Sequence, residues 1–248
     1  MDSLITDQFL LFFIRFNLWF VILTRKEGAA MVEGTVKKSI TNNDFSEIMF
    51  NRHSVRKFDT NVKISRGELQ EMIDSATTAP SACNLQSWHF VVVDTPEAKE
   101  KIKPAIMKFN YPQVDTSSAI IFVIGDTNSH EVYRDVWTKI YKDGRITKDK
   151  LNQIFQTFLP MYENASQEFL IQDATIDGAM VAMQLLLVAR AHGYDANAFA
   201  GYDFKKIIPA LELSPERFVP VMGVALGKAA EDPIITDRYD SKKLTEFL

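Results

Sequence analysis

The chain has 248 residues, 46% hydrophobic and 24% charged, which is enough for one large domain with a sizeable core. Its formal net charge is −4, with 28 Lys plus Arg against 32 Asp plus Glu and no basic stripe, so nucleic-acid binding is set aside. A single cysteine, Cys83, excludes an internal disulfide and any Cys-rich zinc or iron–sulfur site, and the expected compartment is the cytoplasm.

The N-terminus carries two apolar runs, Phe9 to Ile14 and Phe16 to Leu23, split by Arg15 and followed by Arg25-Lys26. A spanning helix needs about 20 apolar residues, and these runs are short, interrupted by charge and without a small-residue cleavage site, so membrane contact is disfavoured. Three readings stand: a true start at Met31, an amphipathic dimer or surface arm, and a membrane anchor. Residues 1–43 are set apart as an N-terminal extension from a single domain over 44–248.

Phe45, Ile48 and Met49 at i, i+3, i+4 predict an amphipathic helix that delivers Arg52 at its end. Ser65-Arg66-Gly67-Glu68 matches a capping box, and Leu69, Met72, Ile73 and Ala76 form one apolar stripe running toward Pro80. His89 to Val93 is short and β-branched, hence a buried strand, and Thr95-Pro96 opens another helix. Ala119 to Gly125 predicts a central strand. From Ser129 to about Tyr162 the sequence is mixed and aromatic, with helical pieces at 132–141 and 151–158 but few sharp caps. It is expected to be an excursion over the core.

Asp173 to His192 is the longest helical pattern, apolar on nearly all sides and closed by Gly193 as a left-handed cap, and should be the buried central helix. A strand near Ala196 to Ala200, a helix opened by Asp203, a break at Ser214-Pro215, a strand from Val219 to Leu226 and an irregular tail complete the chain. With no repeat or linker, the prediction is one domain of mixed strands and helices, an α+β class in which helices outnumber strands.

Two segments carry chemistry. In an extended stretch Arg52, Ser54 and Arg56 share a face, two cations around a hydroxyl, which suits a phosphate dianion. The segment from Ala79 to Trp88 strings small residues, two amides and an indole together, which suits a flat heterocycle. Taken singly, each has a bland reading as solvated arginines or as a helix stop leading into a strand.

Together, in this order and spacing, they resemble the FMN-dependent nitroreductase family, whose hallmark is Arg-x-Ser-x-Arg followed by a Pro-Ser-Ser/Ala-x-Asn-x-Gln-x-Trp loop. The resemblance continues through Ala189 to Asp195, Gly201-Tyr202-Asp203 and Val219-Pro220-Val221, and covers about Asp44 to Arg238. It implies a nitroreductase-like fold, a central mostly antiparallel sheet surrounded by helices, and a homodimer with FMN sites at the subunit interface.

Carried over by residue, Arg52, Ser54 and Arg56 match the phosphate and ribityl contacts, with His53 beside them and Arg238 as a further phosphate-binding cation. Asn110 and Gln113 match the amides that read the flavin pyrimidine edge. Pro80, Ser81, Ala82 and Asn84 match the loop that reaches the flavin of the partner subunit, and Ala200-Gly201 matches the backbone facing N5, where several family members carry Glu in place of Ala200.

The resemblance implies hydride transfer from NADH or NADPH through flavin N5 to a nitroaromatic, quinone or related small-molecule acceptor, with no side-chain acid or base nominated. The absence of Gly-x-Gly-x-x-Gly argues for one cleft shared by both substrates and a ping-pong order. Alternatives are a flavin-binding sensor or carrier, or a family relative acting as a dehalogenase or enoate reductase. The four histidines show no metal-ligand spacing, no metal is expected, and Cys83 is expected to be a buried filler. The aromatic stretch from Val132 to Tyr162 either covers the cleft and meets the acceptor or packs at the dimer interface.

Overall fold

The computed structural model describes residues 40–248, so the apolar runs of the N-terminus and Met31 lie outside the described residues. Four antiparallel strands, β1 (Trp88–Val93), β2 (Ala119–Asp126), β3 (Asp195–Phe199) and β4 (Phe218–Gly227), form one sheet in the order β1-β2-β4-β3. Nine α-helices among the described residues surround it. They are α1 (Phe45–Phe50), α2 (Arg66–Ala76), α3 (Pro96–Ile102), α4 (Tyr111–Thr116), α5 (His130–Lys142), α6 (Lys148–Thr157), α7 (Leu159–Glu163), α8 (Gln167–Ala191) and α9 (Phe204–Ala210).

β2 is buried on both faces, which is why its sequence is continuously apolar rather than alternating. Its odd-numbered side chains, Ile121 and Val123, join α2 and α8 in one core layer with Val224 and Leu226 of β4. Its even-numbered side chains, Ile120, Phe122 and Ile124, join Val55, Phe58, Ile102 and Ile207 in a second layer on the opposite face. Pro220 sits at a register shift, beyond the last β3 pair at Gly223, where β4 lacks a neighbour on one side and a missing N–H is tolerated.

α8 is the central helix, long and apolar enough by length and composition to cross a bilayer, yet its inner side packs on α2 and the sheet. A Cβ at Gly178 would lie 2.8 Å from Val221, so glycine lets this helix approach the strand closely. The helix begins at Gln167, six residues before the sequence pattern did, started by the Ser166 cap on Phe169 N–H. Gly193 closes it with φ +80°.

Other expectations are met in part. Ser65 caps α2 through Glu68 N–H, but the Glu68 carboxylate leaves the capping box and accepts from Tyr194 Oη at 2.9 Å. β1 is an edge strand rather than a buried one, with Val93 its single buried residue, because β2 flanks it on one side only. In α1 only Ile48 is buried, while Phe45 and Met49 face outward. Residues Asn110-Tyr111-Pro112 start α4, with proline in its first turn, and Thr147 is a sharp cap inside the aromatic excursion. That excursion, α5 to α7, builds its own cluster from Tyr133, Ile154, Phe158, Leu159 and Tyr162, joined by Cys83 and Leu85.

Leu185, fully buried between α2 and the sheet, reports on this packing. Leu185→Ala is expected to lower the unfolding free energy by about 2–5 kcal/mol, read from the urea midpoint. A change under about 1 kcal/mol would mean that α8 is not the central element of the core.

Candidate functional site

The Arg52 to Arg56 segment continues the sheet edge. Ser54 makes a parallel bridge to Ala196, Val55 N–H donates to Ala196 O at 3.1 Å, and the Val55 and Phe58 side chains lock into the core. The alternation this imposes leaves Ser54 and Arg56 exposed and Arg52 half-exposed. His53 bonds Asn51 O through Nδ1 at 2.8 Å and places Nε2 3.6 Å from Asp195 Oδ1. Asp195 is itself held by Arg190 at 2.8 Å and by Ala229 N–H at 2.9 Å. An open concavity of about 520 Å³ lies here, lined by His53, Asp195 and the chain from Ala229 to Pro233.

Eight arginines fall among the described residues, and five have a carboxylate partner: Arg66 with Asp94, Arg134 with Glu163, Arg145 with Asp143, Arg190 with Asp195, and Arg217 with Asp126. Arg52, Arg56 and Arg238 are the three without one among the described residues. These are the same three that the sequence assigned to an anion. An arginine left unpaired keeps its charge-assisted donors for a ligand. The Arg238 guanidinium bonds Thr236 and Asp237 inside the tail, while Arg56 reaches Phe109 O at 3.5 Å.

Asn110, Gln113 and Gly201 come together at the far end of β3. Asn110 Nδ2 donates to Gly201 O at 2.9 Å, Met107 N–H donates to the same oxygen at 2.9 Å, and Gln113 Nε2 donates to Asn110 Oδ1 at 2.8 Å. Gln113 Oε1 is buried without a partner, an unspent acceptor. The requirement for glycine at 201 is internal: a Cβ there would lie 2.2 Å from Asn110 Nδ2 and 2.8 Å from the Phe109 ring. Ala200, preceding it, presents no carboxylate.

The loop from Pro80 to Ser87 is strained, with Cys83, Asn84 and Gln86 at φ of 51°, 59° and 54°. A carboxylate that the motif did not reveal, Asp177 of α8, stabilises it. Fully buried, it accepts Ala82 N–H on Oδ1 at 2.9 Å and Ser87 N–H on Oδ2 at 3.3 Å, and so holds both ends of the turn. Ser81 Oγ accepts Gln86 N–H at 3.0 Å, and Ser87 Oγ pairs with Ser129 Oγ at 2.8 Å. The available signal was an Asp173/Asp177 pair at i, i+4 inside an otherwise apolar helix.

Burial and the neighbouring Asp177 carboxyl push Asp173 up to about 7. Burial also raises Asp177, opposed by its hydrogen bonds from Ala82 and Ser87, so the pair's charge resides on Asp177 and its proton on Asp173. The Tyr162 hydroxyl lies beside Cys83 and Asp173 without completing a hydrogen bond of good geometry. Burial raises the Cys83 thiol to about 12, which makes it the inert filler expected of it rather than a nucleophile.

A family model described as the nitroreductase family matches residues 49–228, and the chain belongs to that family. It is 69% identical over 211 residues to the CLA biosynthesis enone reductase of Lactiplantibacillus plantarum, spanning 85% of this chain and 97% of that protein. It is 40% identical over 208 residues, 84% of this chain and 99% of the relative, to YdgI of Bacillus subtilis (strain 168), whose name places it provisionally among the NAD(P)H nitroreductases. A structure from Exiguobacterium sibiricum 255-15, described provisionally as a nitroreductase and solved in complex with FMN, superposes with a TM-score of 0.80 at 38% identity, covering 84% of this chain and 99% of that one.

Because Asp173 titrates well above its usual 3.8, the folded chain keeps a proton that the unfolded chain loses between about pH 4 and pH 7. Stability from this group falls across that window and stays low above it. Asp173→Asn is therefore expected to be more stable than the parent at pH 8, by up to about 4 kcal/mol, with the gap closing below pH 5. Thermal unfolding at the two pH values checks this, and an equal shift at both would refute the titration.

Proposed function

We propose that this chain is an FMN-dependent oxidoreductase that takes electrons from NADH or NADPH and reduces a small conjugated acceptor, with an enone-type carbonyl compound favoured over nitroaromatics and quinones. The observation that carries the flavin assignment is that Arg52 and Arg56, beside Ser54 on a segment pinned to β3, have no carboxylate partner among the described residues. A second fit is the buried Gln113 Oε1, an acceptor without a partner that suits a pyrimidine N–H. The enone preference rests on the 69% identity to the enone reductase.

FMN, held by these residues, would supply the redox chemistry between the nicotinamide and the acceptor. The chain's part is to hold and enclose. Arg52, Ser54 and Arg56 bind the phosphate, with His53 oriented by Asn51 and Asp195. Asn110, Gln113 and the Ala200-Gly201 turn face the ring edge, and the cluster of α5 to α7 covers the acceptor.

The site is a shared one in this reading, with Pro80, Ser81, Ala82 and Asn84 serving the flavin of a second copy. Sheet topology supports it. Ser54 joins β3 at one edge beside Ala196, opposite Leu226, whereas the loop enters β1 at the other edge beside Trp88, level with Val219. Four strand spacings and about seven residues of strand separate these corners, on the order of 30 Å. Arg238 too would come from the tail, whose Ile234, Ile235 and Phe247 are exposed on the single chain and would be covered by a partner.

Removing one charge-assisted contact is worth about 1.5–3 kcal/mol, so Arg52→Ala and Arg56→Ala should each raise the FMN Kd by about 10- to 150-fold while leaving the thermal midpoint of the apoprotein unchanged. Wild-type occupancy after dialysis of these variants would remove the phosphate assignment. The holoprotein should bleach within seconds under anaerobic NADH or NADPH and recolour on adding 2-cyclohexenone. Failure to bleach would make the chain a flavin carrier, and reoxidation by nitrobenzene but not by the enone would shift the acceptor class.

A further inference from the structure

We propose that Asp177 is a positioning residue of the acceptor site: its buried carboxylate fixes the strained 82–87 loop, and the loop in turn seats the α5–α7 cover. This deepens the reading of the chain as a flavin oxidoreductase and rests on it for the word acceptor, although the clamp itself is a property of one folded chain.

The geometry has three parts. First, Asp177 takes one N–H from each end of the loop, Ala82 and Ser87, with both of its oxygens, and among the described residues no cation pairs with it. A buried carboxylate without a counter-ion is retained only where its hydrogen bonds replace water. Second, three non-glycine residues between those anchors, Cys83, Asn84 and Gln86, have positive φ, a conformation that needs external support. Third, the side chains projecting from the clamped loop, Cys83 and Leu85, are members of the cluster formed by Tyr133, Ile154, Phe158 and Tyr162. The cover therefore rests on the loop, and the loop hangs from α8.

The titratable groups that face this carboxylate are Asp173 from its own helix, Cys83 from the loop, Tyr162 from α7 and, through Cys83, Tyr133 from α5. All but the two carboxyls stay neutral through the physiological range, since burial raises the thiol and both phenols. Ionisation of Asp173 above neutrality sets a second negative charge one helical turn from the first, with no solvent between to screen it. The hold on the loop should then weaken as pH rises, and should cease to depend on pH when Asp173 is made neutral.

Amide hydrogen exchange on the FMN-loaded protein tests the clamp directly, with steady-state kinetics on 2-cyclohexenone alongside. In Asp177→Asn the amide can accept from only one of the two N–H groups. Protection factors at Ala82 and Ser87 should fall at least tenfold while those at Phe122 and Val224 are kept, and KM for the enone, measured at saturating FMN, should rise at least fivefold. Should Asp177→Asn not fold, Asp173→Asn decides the matter: it should hold protection at Ala82 and Ser87 level from pH 6 to pH 9, where the parent loses at least threefold. Unchanged protection at both amides in Asp177→Asn, or the same pH dependence in Asp173→Asn as in the parent, overturns the proposal. A rise in FMN Kd with KM unmoved would overturn it as well, by making Asp177 a cofactor residue. Absence of any nicotinamide oxidation by the parent would instead overturn the flavin-oxidoreductase reading, with the exchange measurements still deciding the clamp.

Discussion

A carboxylate with no counter-ion sits where helix, loop and sheet meet. Asp177 is fully buried, and the two backbone N–H groups it accepts belong to a loop of unfavourable backbone angles. An ionised group in that position is costly unless its oxygens are satisfied, and the loop is costly unless something holds it. Each resolves the other. The arrangement also depends on close approach of α8 to the sheet, which Gly178 permits beside Val221 one residue further on. Packing of an apolar helix thereby places a single charge to the accuracy of a hydrogen bond.

Electrostatics divides the molecule differently at its other functional corner. Among the described residues five of the eight arginines are committed to internal carboxylates, so Arg52 and Arg56, without such a partner there, stand out by what they lack. Beside them His53 faces Asp195, which is engaged by Arg190 and by Ala229 N–H. An anion arriving there meets unpaired donors on a segment anchored by Val55 and Phe58, so little reorganisation is needed.

The sequence-level reading succeeded where a local rule acts alone. Ser65, Thr95 and Asp203 cap the helices predicted for them, and the apolar run at Ala119 is the doubly covered central strand. It failed where neighbours decide. β1 has the composition of a buried strand but lies at the edge, and α8 starts at the Ser166 cap, six residues before the apolar pattern. Glu68 carries the capping-box spacing yet is drawn away by Tyr194, 126 positions along the chain.

By itself the sequence determined the family, through the spacing of Arg52-x-Ser54-x-Arg56 and the loop from Pro80 to Trp88, and with it the α+β fold and the residues proposed to meet the flavin. These are legible because backbone approach and phosphate binding demand particular residue types at fixed offsets. Only the tertiary structure decided that Gly201 answers to Asn110 and Phe109 and that Asp177 holds the loop. Those facts join residues about 90 positions apart, and burial and partner choice at such range follow from how whole layers pack, which no local pattern encodes.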